Sequence, residues 1–217
     1  LLGIEDVKAA MERHYTEQDY DFAARILGID VAREGDDKSV IFPRQGLVAF
    51  PPRVMRNART IEGATAVAMK KQEWDSDAEF IDNTGGFGGG WIDQLMNLGH
   101  TPIGIHFASA AGDPRYANKR AEMWGRMKDW LAIGGWPGDE VLATDLTGVE
   151  YGFRPDDSIL LESKESMKKR GQASPDDGDA LALTFAHPVP EFKPERPSGV
   201  HSRASAREHD PYQNLSQ

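Results

Sequence analysis

The sequence predicts an α/β fold, with a mixed β-sheet that has helices on both faces. Two observations predict it. Three successive short apolar segments have the character of a β-meander, and helix–strand pairs follow them along the chain. A meander gives antiparallel strand pairs, whereas strands joined by crossing helices are parallel, so the sheet is expected to be mixed. A chain of 217 residues that is 39% hydrophobic is long enough to bury one substantial core.

The strand candidates are short apolar runs bounded by turn residues. The first, "FAARILGIDVA", is compact and apolar and closes at Asp30, which predicts a buried strand. Gly46 is the natural turn between the second and third strands. The expected strand regions are 22–32, two within 40–50, 78–83, 101–108 and a hairpin at 149–163.

The helix candidates have apolar residues at helical spacing. The last of them follows the motif "SPDDGDALALTFA", in which three aspartates lie directly before an apolar run. The expected helical regions are 4–15, 59–74, 84–99, 116–135, 139–147, a basic turn at 166–171 and the segment from 174 onward.

Composition predicts three regions along the chain. Residues 1–19 are expected to form a linker or lead-in helix, and residues 20–187 the folded domain. Residues 188–217 are rich in proline, serine and charge, which predicts a disordered or loosely packed tail.

The residue inventory limits the kinds of site that this chain can build. It has no cysteine, which excludes disulfides and thiolate metal sites, and 35 acidic residues against six histidines favour oxygen ligands for Mg, Mn or Ca. No apolar run approaches the roughly 20 residues that span a bilayer, so no membrane association is expected. The net charge of −10 argues against a general polyanion binder, although local basic clusters can still contact a phosphate backbone.

Acidic residues follow the ends of predicted elements. Asp30 closes the first strand and Asp82 the fourth, while Asp176 and Asp179 are three apart at the start of the last helix. If the two strands are neighbours, these carboxylates gather at one edge of the sheet and need a counter-charge. Two divalent ions roughly 3.5–4 Å apart would provide it and could hydrolyse a phosphodiester. The same residues also suit turns and a helix cap, an alternative that the spacing leaves open.

The flanking residues carry a family resemblance. "LGIDVAREGDDKSV", "FIDNTGGFGGGWIDQL", "NKRAEMW" and "ILLESKESMKKRGQASPDDGDALALTFA" together resemble the nuclease domain of a tailed-bacteriophage terminase large subunit, over roughly residues 20–187. The last motif is also similar to the end of RuvC-type resolvases. Both families have the ribonuclease H-like fold, which the resemblance therefore implies here.

The resemblance implies roles for the acids. Asp30 would bridge two metal ions, Mg or Mn, and Asp82 would hold one of them. Asp179 would complete the catalytic triad because it directly precedes "ALAL", as in the resolvase pattern. Asp176 or Asp177 would be an alternative or additional ligand.

Two further residues are weaker candidates. Asp36 lies six residues after Asp30 and would reach a metal, unless it is a solvated turn residue. Lys164 would approach the active centre or a phosphate, unless it is a surface lysine. DNA-backbone contacts are expected from two groups of basic residues. One group flanks the third strand: Arg53, Arg56 and Arg59. The other is expected on surface turns: Lys119, Arg120, Lys168, Lys169 and Arg170.

The implied function is endonucleolytic cleavage of concatemeric viral double-stranded DNA at the start and end of genome packaging, with little sequence specificity. The implied partners are double-stranded DNA, the portal protein of the procapsid, the terminase small subunit and the ATPase domain of the full-length chain. No GxxxxGK[ST] motif occurs, so that ATPase domain is expected to lie outside this chain. The implied location is the host-cell cytoplasm, with transient docking on the procapsid and absence from the mature virion.

Two alternatives remain at this point. A Holliday-junction resolvase of the RuvC type would have the same fold. A non-catalytic portal-docking module would use the acids as helix caps and turn residues.

Overall fold

A computed structural model of the chain describes residues 1–32, 38–136 and 138–190. Asp36 and the predicted tail from residue 191 onward lie outside the described residues. The strands within the described part are β1 Arg25–Asp30, β2 Lys38–Gln45, β3 Val48–Ala49, β4 Arg53–Arg56, β5 Ala78–Asp82, β6 Ile103–Ile105, β7 Tyr151–Phe153 and β8 Ile159–Leu161.

The main sheet has the order β3-β2-β1-β5-β6, and β4 also pairs with β2. β1 and β2 are antiparallel, as the meander predicted, whereas β1–β5 and β5–β6 are parallel. The prediction of a mixed sheet is therefore confirmed. β7 and β8 form a separate antiparallel hairpin, also as predicted.

The helices cover both faces of the sheet, because two separate apolar clusters lie on its two sides. One cluster has contributions from α1 Ile4–Met11, α4 Lys119–Leu131, α5 Glu140–Gly148 and α7 Asp176–Leu183, and the other from α2 Thr60–Trp74 and α3 Phe87–Asn97. α6 spans Lys164–Lys169.

Strand alternation decides which face each side chain of β1 occupies. Leu27 and Ile29 belong to the cluster of α2 and α3, whereas Ile26 belongs to the cluster of α7. Asp30 has the same parity as Ile26. The last residue of β1 therefore points to the side of the sheet that α7 covers.

Two details differ from the sequence expectations. β4 was not predicted, because its residues are mostly exposed and give no apolar signal; it pairs antiparallel with β2. The predicted lead-in helix ends at Met11, and its Val7 and Ala10 are fully buried in the same cluster as α4 and α7. Among the described residues, no helix has both the length and the apolar character needed to cross a membrane.

Candidate metal centre

Two aspartates lie side by side at the carboxyl ends of the two central strands. β1 and β5 are parallel, and Ile29 is in register with Ile81, so the residue that follows each of them is an aspartate at the same level of the sheet. These residues are Asp30 and Asp82, which are only 2% and 9% exposed. The structure thus brings together the two strand-end acids that the sequence indicated.

α7 crosses β1 at very short range, and this brings its acidic first turn to the same place. A Cβ on Gly28 would lie 2.0 Å from the carbonyl oxygen of Ala180, so only glycine permits this approach. Asp176 begins α7 and is 2% exposed, and Asp179 is fully buried one turn later. Both acids therefore lie beneath the surface near the end of β1.

Lys164 supplies the cation of this cluster. Its Nζ lies 3.0 Å from Asp30 Oδ2, 3.3 Å from Asp179 Oδ2 and 3.4 Å from Asp176 Oδ1. Burial lowers the pKa of the Lys164 ammonium, but the three carboxylates outweigh that effect and raise the pKa above its ordinary value. Lys164 therefore stays charged and contacts three acids at once.

Asp179 is fully buried and is held by hydrogen bonds from α4. Arg120 donates to its two oxygens, from Nε to Oδ1 at 2.8 Å and from Nη2 to Oδ2 at 3.2 Å, and Trp124 Nε1 donates to Oδ1 at 2.8 Å. Burial raises the pKa of Asp179, yet the Arg120 and Lys164 cations outweigh it and lower the pKa overall. Both oxygens of this carboxylate already have protein donors.

Asp176 has a different orientation. It lines an open cleft of about 1110 Å³ together with Asp30, Asp82 and Lys164, whereas Asp179 is absent from the lining. Its Oδ2 accepts a hydrogen bond of 3.0 Å from the backbone N–H of Lys38. Of the two acids on this turn, Asp176 is therefore the one that faces the cleft.

Asp177, the third acid of the motif, points elsewhere. It is 2% exposed, and its Oδ2 pairs with the Lys38 ammonium. The backbone N–H groups of Asp177 and Gly178 donate to Asp145 Oδ2 at 2.9 and 3.3 Å, so Asp145 caps the start of α7. Asp177 and Asp145 thus fix the helix start and do not line the cleft.

The strand-end carboxylates lie in a strongly negative environment. Burial raises the pKa of Asp30 well above its ordinary value, and nearby Asp179, Asp82 and Asp176 raise it further against the lowering effect of Lys164. Burial also raises the pKa of Asp82, although the Thr84 backbone N–H donates to its Oδ1 at 2.8 Å. A further cation near these groups would relieve this repulsion.

The donor set suits a divalent cation of the Mg or Mn type, because Asp30, Asp82 and Asp176 offer carboxylate oxygens to one cleft. Within the residues that the structure describes, no three acidic or histidine side chains are already arranged closely enough to hold an ion. The reason is local, since the Lys164 ammonium lies among the carboxylates. A bound ion would need this ammonium to move aside.

Two basic residues expected on a surface turn are instead buried. Lys119 and Arg120 are each 8% exposed, because they begin α4 and make ion pairs with Glu122 and Asp179. The prediction that Lys119 and Arg120 lie on a surface turn was therefore wrong. The contact between Trp124, in "NKRAEMW", and Asp179, in the acidic motif, was not predicted from the sequence.

Comparison with known proteins places this architecture among ribonuclease H-like α/β folds. No family model matches the sequence, and no curated protein matches it. Solved structures do match. The nuclease domain of the large terminase subunit gp2 of bacterial virus Sf6 has a TM-score of 0.72 and 19% identity, over 87% of this chain and 99% of that one.

Two further structures were solved with metal ions. A point mutant of the Sf6 domain with manganese has a TM-score of 0.71 and 20% identity, over 86% of this chain and 99% of that one. The large terminase nuclease from thermophilic phage G20c with bound magnesium has a TM-score of 0.55 and 14% identity, over 76% and 81%. The chain therefore has the fold of large terminase nuclease domains.

Proposed function

We propose that this chain is the metal-dependent endonuclease domain of a phage terminase large subunit. The observation that carries the proposal is the convergence of Asp30, Asp82 and Asp176 on one open cleft, around a single lysine ammonium. Carboxylates are buried together in this way only when cations compensate them. The shared fold with terminase nuclease domains supports the same conclusion.

Two divalent ions, Mg or Mn, would be held by Asp30, Asp82 and Asp176. When bound, such ions lower the pKa of a water and stabilise the leaving oxygen of a phosphodiester. Hydrolysis would form one bond from the water oxygen to phosphorus as one P–O ester bond breaks, and the leaving oxygen would take up the proton that the water loses. Asp179 is expected to support the site through Arg120 and Lys164, in place of the direct ligand role that the resemblance implied.

The residues of the chain organise the cleft before any ion binds. Lys164 compensates the carboxylates and keeps them together. The Lys38 amide orients Asp176, and Arg120 ties Asp179 to the carbonyl oxygen of Glu162 at 2.8 Å. Because these side chains are already fixed in place, fewer of them must be reordered when ions and substrate bind.

Double-stranded viral DNA is the proposed substrate, cut with little sequence specificity at the start and end of packaging. The proposed setting is the host-cell cytoplasm, in a motor that also holds an ATPase domain, a small subunit and the portal of the procapsid. The structural neighbours from phages Sf6 and G20c support this terminase context.

The test is cleavage of supercoiled plasmid with manganese or magnesium, compared between the wild-type chain and the Asp30→Asn and Asp82→Asn variants. We expect nicking and degradation by the wild type, none in EDTA, and a loss of more than about 100-fold in either variant, beyond the 10–100-fold typical of residues that only support a metal ligand. Asp156→Asn, in the hairpin turn, is the matched control.

Wild-type rates in both strand-end variants would refute the metal site. Faster cutting of four-way junctions than of linear duplex would instead assign a resolvase. Absence of cutting by the wild-type chain, together with intact binding to a portal ring, would favour the docking module.

A further inference from the structure

The hairpin of β7 and β8 exposes two aromatic rings at the rim of the cleft. Tyr151 and Phe153 are 47% and 66% exposed, and their ring centroids lie 5.8 Å apart in an edge-to-face pair. Their positions two apart on one strand put them on the same face of the hairpin. Both rings line the cleft that also contains Asp30 and Asp176.

The hairpin holds these rings on a fixed support. At its base, the Glu162 N–H donates to the Glu150 carbonyl oxygen at 2.9 Å. On the other side of β8, the Ile159 N–H donates to the Arg115 carbonyl oxygen and the Ile159 carbonyl accepts from Ala117, both at 2.8 Å. β8 is therefore bonded on both edges, while β7, within the described residues, pairs with β8 alone.

A third aromatic ring lines the same cleft. Phe87 begins α3 and is 46% exposed. The cleft volume of about 1110 Å³ exceeds the roughly 300–1,000 Å³ of pockets for small ligands. The cleft is therefore large enough for an extended ligand, and its exposed rings suit flat apolar groups on that ligand.

A nucleic-acid strand combines the two properties that the cleft requires. Its phosphodiester is an anion that a cation-filled carboxylate floor can hold, and its bases are flat rings that stack on aromatic side chains in a sequence-tolerant way. In an intact duplex, neighbouring bases already cover both faces of each base. The rings can therefore stack only on bases that are locally unpaired.

We infer that Tyr151 and Phe153 stack on unpaired bases of the DNA strand that lies in the cleft, so that the domain cuts locally melted DNA in preference to intact duplex. This inference rests on the proposed nuclease function. It adds a substrate preference that the carboxylates alone do not provide.

The first test measures the cleavage of three end-labelled DNAs of one sequence in the presence of manganese. The substrates are an intact duplex, the same duplex with a short unpaired bubble, and the single strand. The wild type is expected to cut the bubble and the single strand about tenfold faster than the duplex, within the range that base–aromatic stacking supports. In Tyr151→Ala/Phe153→Ala this advantage falls to about twofold or less, because the bubble and the single strand are cut more slowly.

Matched variants separate stacking from general effects. Tyr151→Phe keeps a ring and should keep the preference. Phe22→Ala removes a ring that is 53% exposed, between the exposures of Tyr151 and Phe153, at the far end of β1 from Asp30. This variant should change nothing. Circular dichroism checks that each variant is folded.

A second readout does not depend on cutting. With calcium in place of manganese, as a cation that also takes carboxylate oxygens, a 2-aminopurine base placed in the bubble should lose fluorescence when the wild-type chain binds, because stacking quenches it. The double alanine variant should lose this quenching. If the wild type quenches but cuts no DNA with any metal, the proposed nuclease function fails and the stacking inference stands.

Three results would overturn the inference. They are equal cutting of bubble and duplex by the wild type, an equal slowing of every substrate by the double variant, and 2-aminopurine quenching that survives the double variant. A change from dimer to monomer on removing the rings, measured by light scattering, would show that the rings bind a second copy of the chain and would also overturn it.

Discussion

Buried acids are compensated differently at the two ends of the central sheet. At the amino end of β5, Glu79 is 3% exposed, and Lys71 Nζ lies 2.7 Å from both of its oxygens while Ser76 Oγ donates at 2.5 Å. At the carboxyl end, Asp30, Asp82, Asp176 and Asp179 gather around two cations, Lys164 and Arg120.

The difference separates structure from function. When an acid has its own cation and hydrogen-bond donors, these interactions offset the free-energy cost of burying its charge, and no further cation is needed. Burial first, and then the neighbouring carboxylates, raise the pKa values of Asp30 and Asp82, because this cluster has more acids than cations. Such an excess, open to a cleft, indicates a site for an ion from solution.

The largest expected effect distinguishes the two acids of α7. Asp176→Asn should lower metal-dependent plasmid cleavage by more than about 100-fold and leave the unfolding free energy nearly unchanged, because Asp176 faces the cleft. Asp179→Asn should lower the unfolding free energy by about 3–5 kcal/mol, because Arg120 loses a buried partner. Urea unfolding and plasmid assays measure both. A stable but inactive Asp179→Asn would instead make Asp179 a ligand.

The second prediction removes Lys164, the cation that three carboxylates share at the carboxyl end of the sheet. Without metal, Lys164→Ala should lower the unfolding free energy by about 1–3 kcal/mol, because three carboxylates lose a common partner. Manganese should then raise the melting temperature more than it does in the wild type, since no ammonium competes with the ion. Thermal unfolding with and without manganese measures this, with Lys169→Ala as the exposed control. Equal metal responses in the two proteins would contradict the prediction.

The other end of the sheet should respond in the opposite way. Glu79→Gln should lower the unfolding free energy by about 2 kcal/mol, because Lys71 loses its paired carboxylate, and leave plasmid cleavage within about twofold of the wild type. Urea unfolding and the plasmid assay measure the two effects. A large loss of cleavage in Glu79→Gln would contradict the proposed difference between the two ends of the central sheet.

The last prediction concerns Asp145, a further acid, which caps the start of α7 near the carboxyl end of the sheet. Burial, and then the Asp177 carboxylate, raise the pKa of Asp145 to about 7. Because the folded state binds this proton more tightly, the resulting stability is full below pH 4 and is lost as the pH rises towards 7. Asp145→Asn does not titrate, and its amide oxygen can still cap α7. Its decline in unfolding free energy between pH 5 and pH 7 should be about 2 kcal/mol smaller than that of the wild type.

The measurement is urea unfolding in EDTA across this pH range, so that bound metal does not contribute. Parallel curves for the wild type and Asp145→Asn would show that Asp145 is ionised throughout. The other raised acids, Asp30 and Asp82, remain in both proteins and cancel in the comparison.

Local patterns in the sequence were enough to predict the sheet and the strand-end acids. Short apolar runs and turn residues placed Asp30 and Asp82 at the ends of two buried strands. The sequence left open whether these two strands are neighbours, and the structure pairs β1 and β5 in parallel. β4 escaped prediction because its side chains are mostly exposed and carry no apolar periodicity. Lys119 and Arg120 were misplaced because their charge suggested solvent.

By itself, the sequence determined that acids would lie at strand ends and in the first turn of the last helix, since these positions depend on neighbours in the chain. Only the tertiary structure decided which acid of that turn faces the cleft. Asp176 and Asp179 are equivalent in local terms, but Arg120 and Trp124 reach Asp179 from 59 and 55 residues away. Such partners are fixed by the packing of α4 against α7, which no short-range pattern encodes.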